Sequence, residues 1–293
     1  MTRSPKWWQW PTVLSLDAPA VALAWQGLSA RTAGVRLAAA PATVLGLSVW
    51  LAYVADRWIE GWRLQPEQVR TQRHYFYLRH RWPVAALWAA ALAVDVAVAC
   101  ADLTRREFWL GAGLLPLVLA YVISHQFVHR DRRWRLPKEI CVALLLAGGI
   151  AAFVAADQTD LNSVGAQARP EVALHPGTVP VLAGLFFVLA FANCALISVW
   201  ERAVDQSHGQ ISLARQFAIG PQLGRSAAWL AMAGGIVAAV AWPAVRSAGL
   251  CAAASGGALL AVDRAQNVLG WEAARVLADV VLLTPLAVLV WPR

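Results

Sequence analysis

Charge is scarce in this chain. Asp, Glu, Lys and Arg make up 14% of its 293 residues, where a soluble globular domain is nearer a quarter charged. No polar segment is long enough to fold as a soluble unit. Cysteine is sparse too. Cys100, Cys141, Cys194 and Cys251 stand singly within or at the ends of apolar runs, a spacing that supports neither a disulfide framework nor a cysteine metal site. The opening MTRSPKWWQW does not read as a secretory signal: it runs on to the polar Ser15 and Asp17 with no compact apolar core or cleavage site. Period-two alternation is absent, which excludes a lipid-facing barrel. Ser and Cys nucleophile motifs, internal repeats and low-complexity tails are absent as well.

What is present is apolar length. Hydrophobic residues reach 59%, and the mean hydropathy is +0.52. Several runs carry almost no charge over a bilayer thickness, which predicts an all-α polytopic membrane protein built as one transmembrane domain over 1–293. Nine spans are predicted, at about 18–29, 37–55, 83–101, 108–124, 140–156, 178–200, 226–245, 248–262 and 276–291. The first and the eighth are short. The sixth is the longest and cleanest. Trp7, Trp8 and Trp10 fit as interface anchors.

The net charge of +8 does not point to nucleic acid, because the basic residues lie in loops between apolar runs. With nine spans, 18 of the 25 Lys and Arg residues fall on one side. That bias predicts a cytoplasmic N-terminus and an extracytoplasmic C-terminus, and the expected location is a bacterial inner membrane.

Three charged clusters fall on the predicted cytoplasmic side. The first is LAYVADRWIEGWRLQPEQVRTQRHYFYLRHR, with Asp56, Glu60, Arg70 and Arg73. The second is HQFVHRDRRWRLPKE, with Arg132, Arg135 and Lys138. The third is NCALISVWERAVDQSHGQISLARQ, with Asn193, Glu201, Asp205 and His208. Asp56 with Glu60, and Glu201 with Asp205, are acids four residues apart at the end of an apolar helix, so each pair shares a face. Two such pairs suit a hard cation, because Mg2+ takes one or two carboxylates and completes its shell with water and substrate phosphates. The arginines suit the phosphates themselves. The plainer reading is helix capping and local pairing with Arg57 and Arg202. Asp95 and Asp279 lie inside apolar spans, where a carboxyl is costly and marks a functional candidate or a hydrogen-bonded structural residue.

The order of these motifs resembles the UbiA superfamily of intramembrane prenyltransferases. SLDAPAVALAWQ is similar to the family's entry into its first helix. AYVADRWIEGWRLQPEQVRTQRHYF resembles the first acidic motif and its basic trailer. RRWRLPKEICVALLLAGG resembles the entry to the fifth helix, and SVWERAVDQSHGQISLARQ the second acidic motif. Ala52 and Tyr53 stand where the family has Asn and Asp, and Glu201 where it has Asp. The resemblance implies a Mg2+-dependent transfer of an isoprenyl group from a prenyl diphosphate to a lipophilic acceptor. Asp56, Glu60, Glu201 and Asp205 would hold the metal. Arg70, Arg73, Arg132, Arg135 and Lys138 would bind the diphosphate, with Asn193, His208, Asp95 and Asp279 as further polar candidates. No catalytic base is assigned. The alternative is a non-catalytic relative with a lipid-binding, scaffold or transport role.

Overall fold

The computed structural model describes residues 4–64, 69–128, 136–164 and 177–290, without the side chains of 127–128 and 158–164. Arg132 and Arg135 lie outside the described residues. Every described element is helical. After a short turn, α1 (Trp10–Val13), the chain enters α2 (Asp17–Thr32) and α3 (Ala39–Arg63). A surface helix, α4 (Gln72–Arg79), precedes α5 (Arg81–Asp102), α6 (Arg105–Ile123), α7 (Lys138–Val164) and α8 (Thr178–Trp200). Two short helices, α9 (Arg202–Ser207) and α10 (Leu213–Gln216), lead into α11 (Gly220–Ala241), α12 (Arg246–Leu269), α13 (Trp271–Val280) and α14 (Pro285–Leu289).

Among the described residues, seven helical segments are long and apolar enough to cross a membrane, with α3, α5, α6, α7, α8, α11 and α12 as their cores. The chain is therefore an integral membrane protein. Each predicted span overlaps a described helix, and the sixth has the predicted bounds. The second runs on to Arg63 and the seventh covers Gly220–Ala241, and the last two need larger corrections. The eighth is not short: α12 extends from Arg246 to Leu269, because Arg264 and Asn267 end the apolar run without ending the helix. The ninth starts earlier and is broken. A 3-10 turn over Val281–Leu283 separates α13 from α14, where Pro285 cannot donate to a continuing helix. The Ser255 hydroxyl donates to the Val281 carbonyl at 2.7 Å, replacing part of the interrupted ladder. The first span, α2, has only 16 residues.

Local chemistry sets the helix ends. Thr104 caps α6 in a reciprocal box with Glu107, and Thr71 caps α4 through the His74 N–H. Gly270, at φ 80°, turns the chain from α12 into α13.

The core centres on α8, whose Leu182, Phe186, Leu189 and Leu196 are buried. Trp25 of α2 packs on Phe186 at 5.2 Å between ring centroids. On one side α11 and α12 meet along bare backbone: a Cβ on Gly235 would stand 2.5 Å from the Gly249 carbonyl oxygen. Small residues permit that approach, and packing rather than water exclusion holds helices together in lipid. On the opposite side α6 is peripheral, and none of the residues in its apolar window is buried.

Candidate functional site

The ends of α3, α6 and α9 and the start of α7 meet around an open cleft. Asp56, Glu60 and Arg63 of α3 form one wall. Tyr121, His125 and Gln126 form another, the last two on a π turn over Ser124–Val128 that continues α6. Lys138 and the segment from His208 to Ile211 close the remainder. Each of the three charged clusters thus contributes a side chain to one mouth of the bundle.

The acidic pair on α3 faces this cleft. Asp56 accepts from Gln126 Nε2 at 2.6 Å. Glu60 pairs with His74 Nε2 at 2.8 Å, while the other ring nitrogen of His74 meets the Thr71 hydroxyl at 2.5 Å. Burial pushes the His74 imidazole down to about 4, against the pull of Glu60. Neutral His74 is therefore the donor to the Glu60 carboxylate. Lys138 donates to Gln210 Oε1 at 3.3 Å and lies within electrostatic reach of Asp205, Glu139, Glu60 and Asp56. Arg63 donates to both oxygens of Gln126, its carbonyl and its side chain.

The second acidic pair is arranged differently. Glu201 is buried and does not line this cleft. Its carboxylate accepts from Arg73 at 3.0 Å and from Arg275 at 2.9 and 2.8 Å. Those two guanidiniums and Glu201 line a separate, shallow pocket with Gln9, Thr12 and Trp271. Asp205 is buried on α9; its backbone carbonyl accepts from Gln210 and Arg215, and its carboxyl is off the cleft wall. Adjacent residues of α4 therefore hold one acid of each pair, His74 on Glu60 and Arg73 on Glu201.

Other predicted residues scatter. The Arg70 backbone N–H donates to His208 Nε2 at 3.3 Å, and the His208 ring stands edge-on to His74 at 4.7 Å. Asp95 is buried and accepts from Ser48 at 2.9 Å. Asn193 donates to Asp279 at 2.9 Å. Arg57 is not a local partner of Asp56: it turns inward to the Thr12 carbonyl at 3.0 Å and the Ser15 hydroxyl at 2.5 Å.

Mg2+ needs several oxygen ligands, and the fit divides along these lines. Glu201 does not fit, because guanidinium donors already take both its oxygens. Among the described residues no three His, Cys, Asp or Glu side chains converge as a metal site. Asp56 and Glu60 do fit a single ion, since two carboxylates suffice when substrate phosphates and water complete the shell.

Sequence reasoning missed Gln126 and Arg275. Gln126 carries no charge and sits on a π turn, which no periodicity announces. Arg275 is 74 residues from Glu201 and lies on α13, in a stretch that reads as the connection before the ninth predicted span.

No family model matches the sequence, and no curated protein does. Among solved structures, the fold is similar to the apo structure of a UbiA homolog from Aeropyrum pernix K1. The TM-score is 0.56 at 18% identity, over 95% of this chain and 99% of that one. The fold is UbiA-like.

Proposed function

We propose that this UbiA-like chain is an intramembrane prenyltransferase, moving an isoprenyl group from a prenyl diphosphate to a lipophilic acceptor. One observation carries the reading. At one mouth of an apolar bundle, a cleft sets the Asp56 and Glu60 carboxylates opposite the Lys138 ammonium. An apolar tail belongs in the bundle and a polyanionic head at its charged mouth. The orientation supported by the loop charges puts this mouth on the cytoplasmic face of a bacterial inner membrane.

The protein's own groups have separable roles. Lys138 and Arg63 place positive charge where a leaving diphosphate gathers negative charge, and such preplaced charge lowers the barrier most in a water-poor site. Gln126 orients Asp56, and His74 orients Glu60. Asp56 and Glu60 would hold Mg2+, which supplies Lewis-acid polarisation of the departing phosphate oxygen. The apolar bundle shields the allylic cation from water.

The test is release of diphosphate from a labelled prenyl diphosphate by the full chain in nanodiscs, with and without Mg2+. Release should require the protein and fall sharply in Asp56→Ala and Lys138→Ala. Full release by both variants would sink the site assignment.

A second reading has its own observation. The Glu201 carboxylate is spent on Arg73 and Arg275, leaving half of the acidic apparatus structural. A relative that binds a lipid diphosphate without cleaving it would look like this. It would bind the donor, with Asp56→Ala changing the affinity, and release no diphosphate.

A further inference from the structure

Beyond the cleft, the bundle interior holds a second polar cluster. Asp17 opens α2, Asp279 lies on α13, Asn193 and Cys194 on α8, and Tyr53 and Arg57 on α3. The carboxyls of Asp17 and Asp279 lie within hydrogen-bonding reach of each other. Tyr53 is within electrostatic reach of both, and of Arg57 and Cys194.

This cluster is short of donors. Asp17 Oδ1 accepts from the Ala18 N–H at 3.0 Å, and Asp279 Oδ1 from Asn193 Nδ2 at 2.9 Å. Asp17 Oδ2 is buried with no hydrogen-bond partner among the described residues. The same holds for Asn193 Oδ1, on a side chain only 7% exposed. A buried acceptor without a donor carries its full desolvation cost. Charge leads to the same conclusion. Arg57 is the cation facing the pair, and its guanidinium hydrogen bonds go to Thr12 and Ser15. Two ionised carboxylates would leave one uncompensated negative charge inside the protein, which is expensive. Two touching carboxylates also resist joint ionisation.

We infer that Asp17 and Asp279 together form a proton-binding site inside the bundle, holding one proton between them at neutral pH. The proton supplies the missing donor to the buried oxygen. It also brings the cluster of two carboxyls and Arg57 to zero net charge. The inference does not depend on transferase activity.

Dicyclohexylcarbodiimide, an apolar reagent that modifies protonated carboxyls, tests it on the full chain in nanodiscs at pH 7. Peptide mass spectrometry should find the adduct on Asp17 or Asp279. In D279N the new amide donates to Asp17, which becomes an ionised carboxylate and loses its adduct. In D17N, Asp279 loses its adduct for the same reason. Any adduct on Asp95, which has Ser48 as its partner, stays unchanged in both. Infrared spectroscopy adds a measure free of reagent access: the wild type should show a protonated-carboxyl band that D279N removes. The inference is overturned if the partner adduct survives in both variants. It is equally overturned if the wild type shows neither an adduct at these residues nor such a band.

Discussion

The two acidic pairs have the same spacing and the same position at a helix end, yet the fold uses them differently. Asp56 and Glu60 face an open cleft and take neutral donors, Gln126 and His74. Glu201 is enclosed between two guanidiniums, and Asp205 stands off the cleft wall. The difference comes from what packs beside each pair. Beside α3 lies the π turn of α6, which offers an amide. Beside the end of α8 lie α4 and α13, which offer arginines. Sequence spacing places a carboxylate on a face; the neighbouring helix decides whether that face meets a ligand or an ion pair.

This contrast can be broken experimentally. The largest effect is expected at Glu201. Removing it in Glu201→Ala leaves Arg73 and Arg275 buried without their counter-ion, and breaking a buried ion pair from one side costs about 3–5 kcal/mol. Thermal unfolding in detergent should show that loss, with Glu201→Gln recovering part of it through its remaining carbonyl acceptor. An unchanged midpoint would mean that Glu201 is free for a ligand after all.

His74 ties the two pairs together through α4, and its effect should follow pH. Its imidazole is held down from the ordinary 6.5 to about 4 by burial. The unfolded chain therefore takes up a proton before the folded one does. The stabilisation is complete above pH 6.5 and is lost as pH falls through that value toward about 4. The shift corresponds to about 3 kcal/mol. Unfolding midpoints measured between pH 7 and pH 4 should show this slope, and His74→Asn should flatten it.

At the cleft, Asp56→Ala should reduce diphosphate release by about 100-fold, the scale of losing one preorganised electrostatic contact. Its stability should fall by only ~1 kcal/mol, the worth of one hydrogen bond. Activity and stability thus separate at Asp56 and coincide at Glu201. The smallest effect belongs to Arg225→Ala. Arg225 meets Asp263 at 2.7 Å but is 55% exposed, so its loss should move the unfolding midpoint by no more than about 0.5 kcal/mol.

The helices were legible because lipid leaves the backbone little choice. An apolar run such as Thr178–Trp200 must satisfy its own hydrogen bonds, and its bounds follow from composition. The break before Pro285 was visible as a proline but not as a new helix start, because α13 opens on Trp271 and Glu272, residues of a polar connection. The convergence of the three charged clusters followed from counting crossings. Their division into cleft and clamp did not. It depends on Arg275 and Gln126, which reach Glu201 and Asp56 only through tertiary packing. Arg57 shows the same limit: the sequence places it in a basic loop, and the fold buries it against Thr12 and Ser15.

The glycine contact between α11 and α12 bears on traffic through the bilayer. With Gly235 and Gly249 pressed backbone to backbone, and Gly256 equally tight against Ala228 and Met232, that seam leaves no width for a hydrocarbon chain. A lipid-soluble molecule travelling sideways from the membrane toward the interior is shut out along this line and must use another gap between helices.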